Sequence, residues 1–183
     1  MASGTIQSAR SMKILGFHLS SSGGMHDHVS HISKKFGMRI WAIRNLKRAG
    51  VPEKKIVEFH TTAIRPVIEY TAQVYHHMLT GELSERIERL QRIVLKVIYG
   101  PETSYREALQ QSGLCRLEET RIDLCRKFAI KAEQNPRYKR WFPEADETGH
   151  DTRHKKRLME EWAKMERLFK SPVFGMRRML NEM

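Results

Sequence analysis

Three histidines at positions 26, 28 and 31 have the spacing that comes nearest to a metal site in this chain. Residues 28 and 31 would share one face of a helix, and Asp27 or Cys115 would be at hand to complete a set of zinc ligands. Mixed sets of this kind arise readily by chance, so neither a metal nor a cofactor is expected. His76 and His77 stand near the end of a helical segment, where an imidazolium would meet the negative pole of the helix dipole without any catalytic role. The sequence contains no GxxxxGK phosphate loop, no GxGxxG, no HExxH, no GxSxG and no paired CxxC. Two-metal nucleotidyl transfer needs carboxylates that converge on two cations. Aspartate occurs only at 27, 123, 146 and 151, scattered over helices and a connecting stretch. No enzymatic activity is expected.

What the chain does carry is positive charge. Its 183 residues include 33 Lys and Arg against 21 Asp and Glu, a formal charge of +12, which suits a polyanionic partner and says nothing about fold. The charge recurs on successive helical segments. In residues 27–49 a stripe of Val29, Ile32, Phe36, Ile40 and Ile43 leaves Lys34, Trp41, Arg44, Asn45 and Arg48 on a second face. A tryptophan in that company either packs against another helix, the commoner use of such a ring, or stacks on a base or ribose. In residues 82–99, Arg89, Arg92 and Lys96 lie opposite an inner face of Leu83, Ile87, Leu90, Val94 and Ile98. In residues 116–134, Arg126, Lys127 and Lys131 flank an inward set of Leu117, Leu124, Cys125 and Phe128. Arg153, Lys155, Lys156 and Arg157 form a short basic cluster that suits phosphates or a nuclear address. Any one of these side chains taken alone reads as part of a solvated face, and their recurrence points to a shared binding surface.

The elements that must position them read as mainly helical. The stretch 56–78 has Ile56, Phe59, Ala63, Val67, Tyr70 and Val74 at helical period and reads as a long central helix, opened by Pro52-Glu53 and kinked or broken near Pro66. Residues 13–19 alternate as a short strand before the turn-rich 20–24. Gly50, Gly100-Pro101 and Gly113 stop helices, and Ser104 with Glu107 forms a capping box for a short helix ending near Gln111. The expected fold is a mainly α, irregular helical bundle with a short N-terminal β-strand or hairpin. Residues 1–12 read as a flexible N-terminus and 13–143 as a helical domain. Residues 144–152 read as a linker, and 153–183 as a helical extension with Leu158, Trp162, Met165 and Phe169 on one stripe over 153–170. Two cysteines in helical context, no apolar run of membrane-spanning length and no hydrophobic leader predict an intracellular protein, nuclear or cytoplasmic, away from membranes.

Several of these stretches, in order, resemble the region that follows the catalytic palm in reverse transcriptases of non-LTR (LINE-like) retrotransposons. The resemblance lies in Lys13-Ile14-Leu15-Gly16-Phe17-His18-Leu19, in His28-Val29 opening a helix with Lys34-Lys35, and in IRPVIEYTAQVY from Ile64 to Tyr75. It continues in IERLQRIV from Ile87 to Val94, in Tyr105-Arg106-Glu107-Ala108-Leu109 and in Leu114 to Arg121. It ends in ERLFKSPVFG from Glu166 to Gly175 and Leu180-Asn181. The resemblance implies a thumb-and-connection region whose helices grip a template–primer duplex, with Leu15-Gly16 near the strand that supports the primer end. The catalytic Tyr-Ala-Asp-Asp strand of that family would precede residue 13, so the resemblance implies no primer extension by this stretch alone. It would be part of an RNA-directed DNA polymerase only if a palm lay upstream.

The expected function is therefore largely sequence-tolerant, non-catalytic binding of RNA or an RNA–DNA hybrid through basic helical faces. The alternative is a helical protein-interaction or oligomerisation module, with its partner on the C-terminal helix.

Overall fold

The structure is a computed structural model that describes residues 9–145, 157–160 and 165–183. It is mainly α, an irregular bundle with a two-stranded antiparallel hairpin at its start. No described helix is long and apolar enough to cross a membrane.

The hairpin pairs β1 (Ser11–Ile14) with β2 (Phe17–Ser20), Met12 facing Leu19 and Lys13 facing His18. The single strand expected over 13–19 is thus divided by a turn. Leu15 and Gly16 both have positive φ, +48° and +86°, the combination that a tight two-residue hairpin loop requires. Leucine rarely adopts this conformation, which is why its sequence gave no turn signal. The Tyr70 hydroxyl donates to the Leu15 carbonyl at 2.7 Å and ties the loop to the helices. Ser11 and Met12, expected in a flexible terminus, belong to the ladder.

Helix α1 (His26–Arg48) has its apolar stripe where the periodicity puts it, with Val29, Ile32, Phe36, Ile40 and Ile43 buried. Beyond its end, the Gly50 N–H reaches the Lys47 carbonyl and the Val51 N–H the Leu46 carbonyl, with Gly50 at φ +75°. Its principal packing partner is α5 (Gly81–Tyr99), which buries Leu83, Ile87, Val94, Leu95 and Ile98 and is capped by the Thr80 hydroxyl.

The central segment differs from the continuous helix expected over 56–78. It consists of α2 (Glu53–Phe59), a π-helical turn (His60–Ile64), α3 (Pro66–Glu69), α4 (Ala72–Tyr75) and a 3-10 turn (His76–Met78). Pro66 has no N–H to give residue 62, and the chain accommodates it by widening the preceding turn, so that the Arg65 N–H bonds the His60 carbonyl five residues back. A second break falls at Thr71, whose φ is +61°. The widened turn and this break displace the buried stripe to Ile56, His60, Ile64, Ile68, Ala72 and Tyr75. Tyr70 and Val74, expected inside, are exposed.

Helix α6 (Tyr105–Ser112) carries the expected capping box of Ser104 and Glu107 and ends at Gly113 with φ +66°. Helix α7 (Leu117–Glu133) buries Leu117, Arg121, Cys125, Ala129 and Ala132, while Phe128, expected inward, is exposed. A 3-10 turn follows over Pro136–Trp141.

Residues 157–160 are not part of the helix expected over 153–170. Leu158 forms an antiparallel bridge with Glu144, the Met159 N–H bonds the Pro143 carbonyl at 2.8 Å, and the Ala145 N–H bonds the Arg157 carbonyl at 3.1 Å. The chain on either side of the expected 144–152 linker is therefore paired, residues 146–152 lying outside the described residues. Helix α8 (Glu166–Phe169) is a single turn. The chain breaks after α8 at Lys170-Ser171, and Pro172 starts α9 (Pro172–Asn181), because proline at the first helical position gives up an N–H that has no partner there anyway. Leu158, Met176 and Leu180 join Ala129, Ala132 and Phe142 in a second apolar cluster beside the main core.

Helix α9 also packs on the 3-10 turn before α5, with Gly175 against the ring of His77. A Cβ at 175 would lie 2.2 Å from His77 Cγ. Gly175→Ala is expected to force the two elements apart at a cost of about 1–3 kcal/mol. Urea denaturation would show this as a lower midpoint, and an unchanged midpoint would mean that the imidazole swings aside freely.

Candidate nucleic-acid interface

The stripe that seats α1 in the core fixes what its opposite side presents. At about 100° per residue, Lys34, Trp41 and Arg48 fall almost in line down that side, with Met38 and Arg44 flanking them. All five are exposed, Trp41 at 68% and Met38 at 71%. Among the described residues the ring is not buried against another helix, so the commoner use of a tryptophan does not account for it there. Lys34, Lys35, Arg44 and Arg48 make no ion pair among the described residues. The only acidic residue in the helix is Asp27, in its first turn. Two other basic residues of α1 are engaged: Lys47 pairs with Glu53 at 2.8 Å, and Arg39 donates to the Ala63 carbonyl.

The remaining predicted positions are placed differently. On α5, Arg89 and Lys96 are exposed, but Arg92 bonds Glu85 at 3.0 Å and lies over the Tyr105 ring at 5.0 Å. Arg89 approaches the same carboxylate at 3.8 Å. One carboxylate, Glu85, thus offsets part of the charge expected on the back of this helix. On α7, Lys127 pairs with Asp123 at 2.7 Å, and Lys131 is exposed. Arg157 pairs with Glu133 at 2.9 Å. Arg153, Lys155 and Lys156 lie outside the described residues. The structure therefore gathers Lys34, Trp41, Arg44 and Arg48 on one helix face and leaves the other predicted residues on separate elements, several with acidic partners.

The histidines do not form a metal site. His28 is buried between the rings of Phe17 and Tyr75, at 4.7 and 4.9 Å between centroids, and its Nδ1 accepts the His18 N–H at 3.4 Å. Burial, helped by His18 and His31, pushes it down to about 4. The His31 and His18 rings lie tilted against each other, 4.2 Å between centroids, and His26 is exposed. Among the described residues no three His, Cys, Asp or Glu side chains come together as metal ligands. His76 and His77 are likewise held down to about 4, chiefly by burial, so they are neutral at pH 7 and not the imidazolium expected at a helix end. A cavity of about 270 Å³ opens between the hairpin loop, α1 and α3, with Gly16, His31, Lys35 and Tyr70 in its wall.

A polar network went unread in the sequence. Glu88, 1% exposed on α5, accepts the Leu117 and Glu118 N–H groups at the start of α7, both at 3.2 Å, and the Tyr105 hydroxyl. Gln91 donates to Tyr105 and to the Cys115 carbonyl, and the buried Arg121 donates to Ser84 Oγ at 2.7 Å. The one available signal was a Glu and a Gln three residues apart beside the apolar stripe of α5.

No family model, no curated protein and no solved structure matches this chain.

Proposed function

We propose that the chain binds the backbone of RNA or of an RNA–DNA hybrid through the outer face of α1, without a catalytic step of its own. The observation that carries this reading is the row of cations, Lys34, Arg44 and Arg48 with Lys35 beside them, that have no acidic partner among the described residues. An uncompensated row on a rigid helix attracts phosphates in any sequence, since backbone contacts carry no base code. The two arginines can each offer a phosphate parallel donors, and the lysines act as point charges. The order of motifs that resembles the thumb region of non-LTR reverse transcriptases supports the same class of ligand.

The triple variant Lys34→Ala, Arg44→Ala, Arg48→Ala removes three charges from a surface that no core residue shares. Fluorescence anisotropy should then show affinity reduced at least about tenfold, roughly 1.4 kcal/mol, with a shallower salt dependence. Arg86→Ala, Arg89→Ala, Lys96→Ala on α5 is the matched control and should do less. Wild-type affinity in the α1 variant, or RNA binding insensitive to salt, would overturn the proposal.

The alternative of a protein-interaction module rested on a continuous C-terminal stripe. Leu158 is buried in the second cluster, Met165 and Phe169 are exposed on a single helical turn, and Arg178 covers the Phe169 ring at 3.9 Å. Trp162 lies outside the described residues. The described part of that stripe is not one face.

A further inference from the structure

The cations on α1 would suffice to hold a duplex, and they do not account for the two large apolar side chains set among them. Trp41 and Met38 are about two-thirds or more exposed, one turn apart, in the middle of the helix. Hydrophobic side chains of this size leave water only when something covers them. Gly37 precedes Trp41 by one turn, and a Cβ added there would meet nothing within 4 Å. A glycine inside a helix destabilises it, and here no neighbouring element among the described residues needs the room. Its effect is to bare the helix surface beside the indole, so that a flat group can lie against ring and backbone together. Lys34 and Arg48 stand two turns to either side of Trp41, spanning about 21 Å along the axis.

We propose that this face is a stacking site for an unpaired base: the Trp41 ring takes the base, Gly37 leaves space for it, and Lys34, Arg44 and Arg48 hold the phosphates before and after it. The inference rests on the nucleic-acid reading and narrows it to single-stranded ligands or single-stranded segments, because the bases of a continuous duplex are stacked on each other and offer no face to the ring. Phosphate attraction alone would not distinguish strand from duplex in this way.

The test uses the full chain with a labelled single-stranded RNA of about a dozen nucleotides and the same strand annealed to its complement. The single strand should bind several-fold tighter than the duplex and quench tryptophan fluorescence. Trp41→Ala should lose about tenfold in single-strand affinity and most of the quenching, while its melting curve and duplex affinity stay as in wild type. Trp41→Phe should retain most of the single-strand affinity, and Gly37→Leu should lower it by covering the space beside the ring. Equal binding of strand and duplex, unaffected by Trp41→Ala but weakened by the triple cation variant, would overturn the stacking site and leave backbone binding intact. Absence of binding to either ligand at low salt would overturn both.

Discussion

Glu88→Ala is expected to destabilise the protein by about 3–5 kcal/mol, a large part of the stability of an ordinary domain. The carboxylate is buried, and it accepts the first two N–H groups of α7 while Glu119 accepts the N–H of Arg116 just before them. A helix start leaves its N–H groups without intrahelical partners, and an anion there also meets the positive end of the helix dipole. Truncation leaves the Leu117 N–H buried and unpaired, and takes from the Tyr105 hydroxyl its acceptor. The loss is also topological: together with Gln91, Glu88 holds both the start of α7 and, by way of Tyr105, the start of α6 to α5. Glu88→Gln keeps one acceptor oxygen but sets an amide N–H against a backbone N–H, so it should fall between wild type and alanine. Urea denaturation followed by circular dichroism measures both. A loss below about 1 kcal/mol for alanine would show that water replaces the carboxylate at little cost.

How much of this was legible varies by element, for physical reasons. Helices α1, α5 and α6 follow from their stripes, glycine stops and capping residues, because each is an ordinary α-helix whose period the sequence displays directly. The central segment has the same kind of apolar periodicity, but its backbone does not keep one period. Once Pro66 widens the turn before it, Phe59, Ala63 and Val67 yield the buried positions to His60, Ile64 and Ile68. A change of backbone hydrogen bonding is invisible to a count of residues per turn. The hairpin loop failed for a related reason, since Leu15 occupies a conformation that sequence rules reserve for glycine or asparagine.

The candidate site divides along another line. Exposure of Lys34, Arg44 and Arg48 follows from the stripe opposite them, so periodicity places them correctly. Whether a cation is available depends on what lies beside it. Arg89 and Arg92 were equivalent to Arg44 by pattern, yet both turn toward Glu85 one or two turns earlier on α5. Those carboxylate pairs are local enough to have been read from the sequence. The partnership of Arg157 with Glu133 spans two distant segments and was not.

Acidification should begin to destabilise the protein above the pH at which carboxylates usually protonate. Burial holds His28, His60, His76 and His77 each at about 4, against 6.5 when unfolded. Each is a base whose folded pKa is depressed, so between pH 6.5 and about 4 the unfolded chain takes up protons that the folded chain refuses. Stability is then full above about pH 6.5 and is lost as the pH falls through that window. At pH 5 the penalty is about 2 kcal/mol for each fully covered ring, which applies to His28 and His60 in the core. His76 and His77 are partly covered and contribute less. Together they remove a substantial share of a stability of about 5–15 kcal/mol by pH 5 and more as the pH approaches 4, so helicity followed by circular dichroism should collapse cooperatively between about pH 5 and pH 4. His60 packs edge-on to Phe36, with centroids 6.0 Å apart. His60→Leu keeps an apolar group in that place and removes one titrating ring, and it should move the acid midpoint to lower pH. A wild-type chain still fully helical at pH 4, or a His60→Leu midpoint identical to wild type, would mean that these imidazoles take up protons without unfolding the bundle.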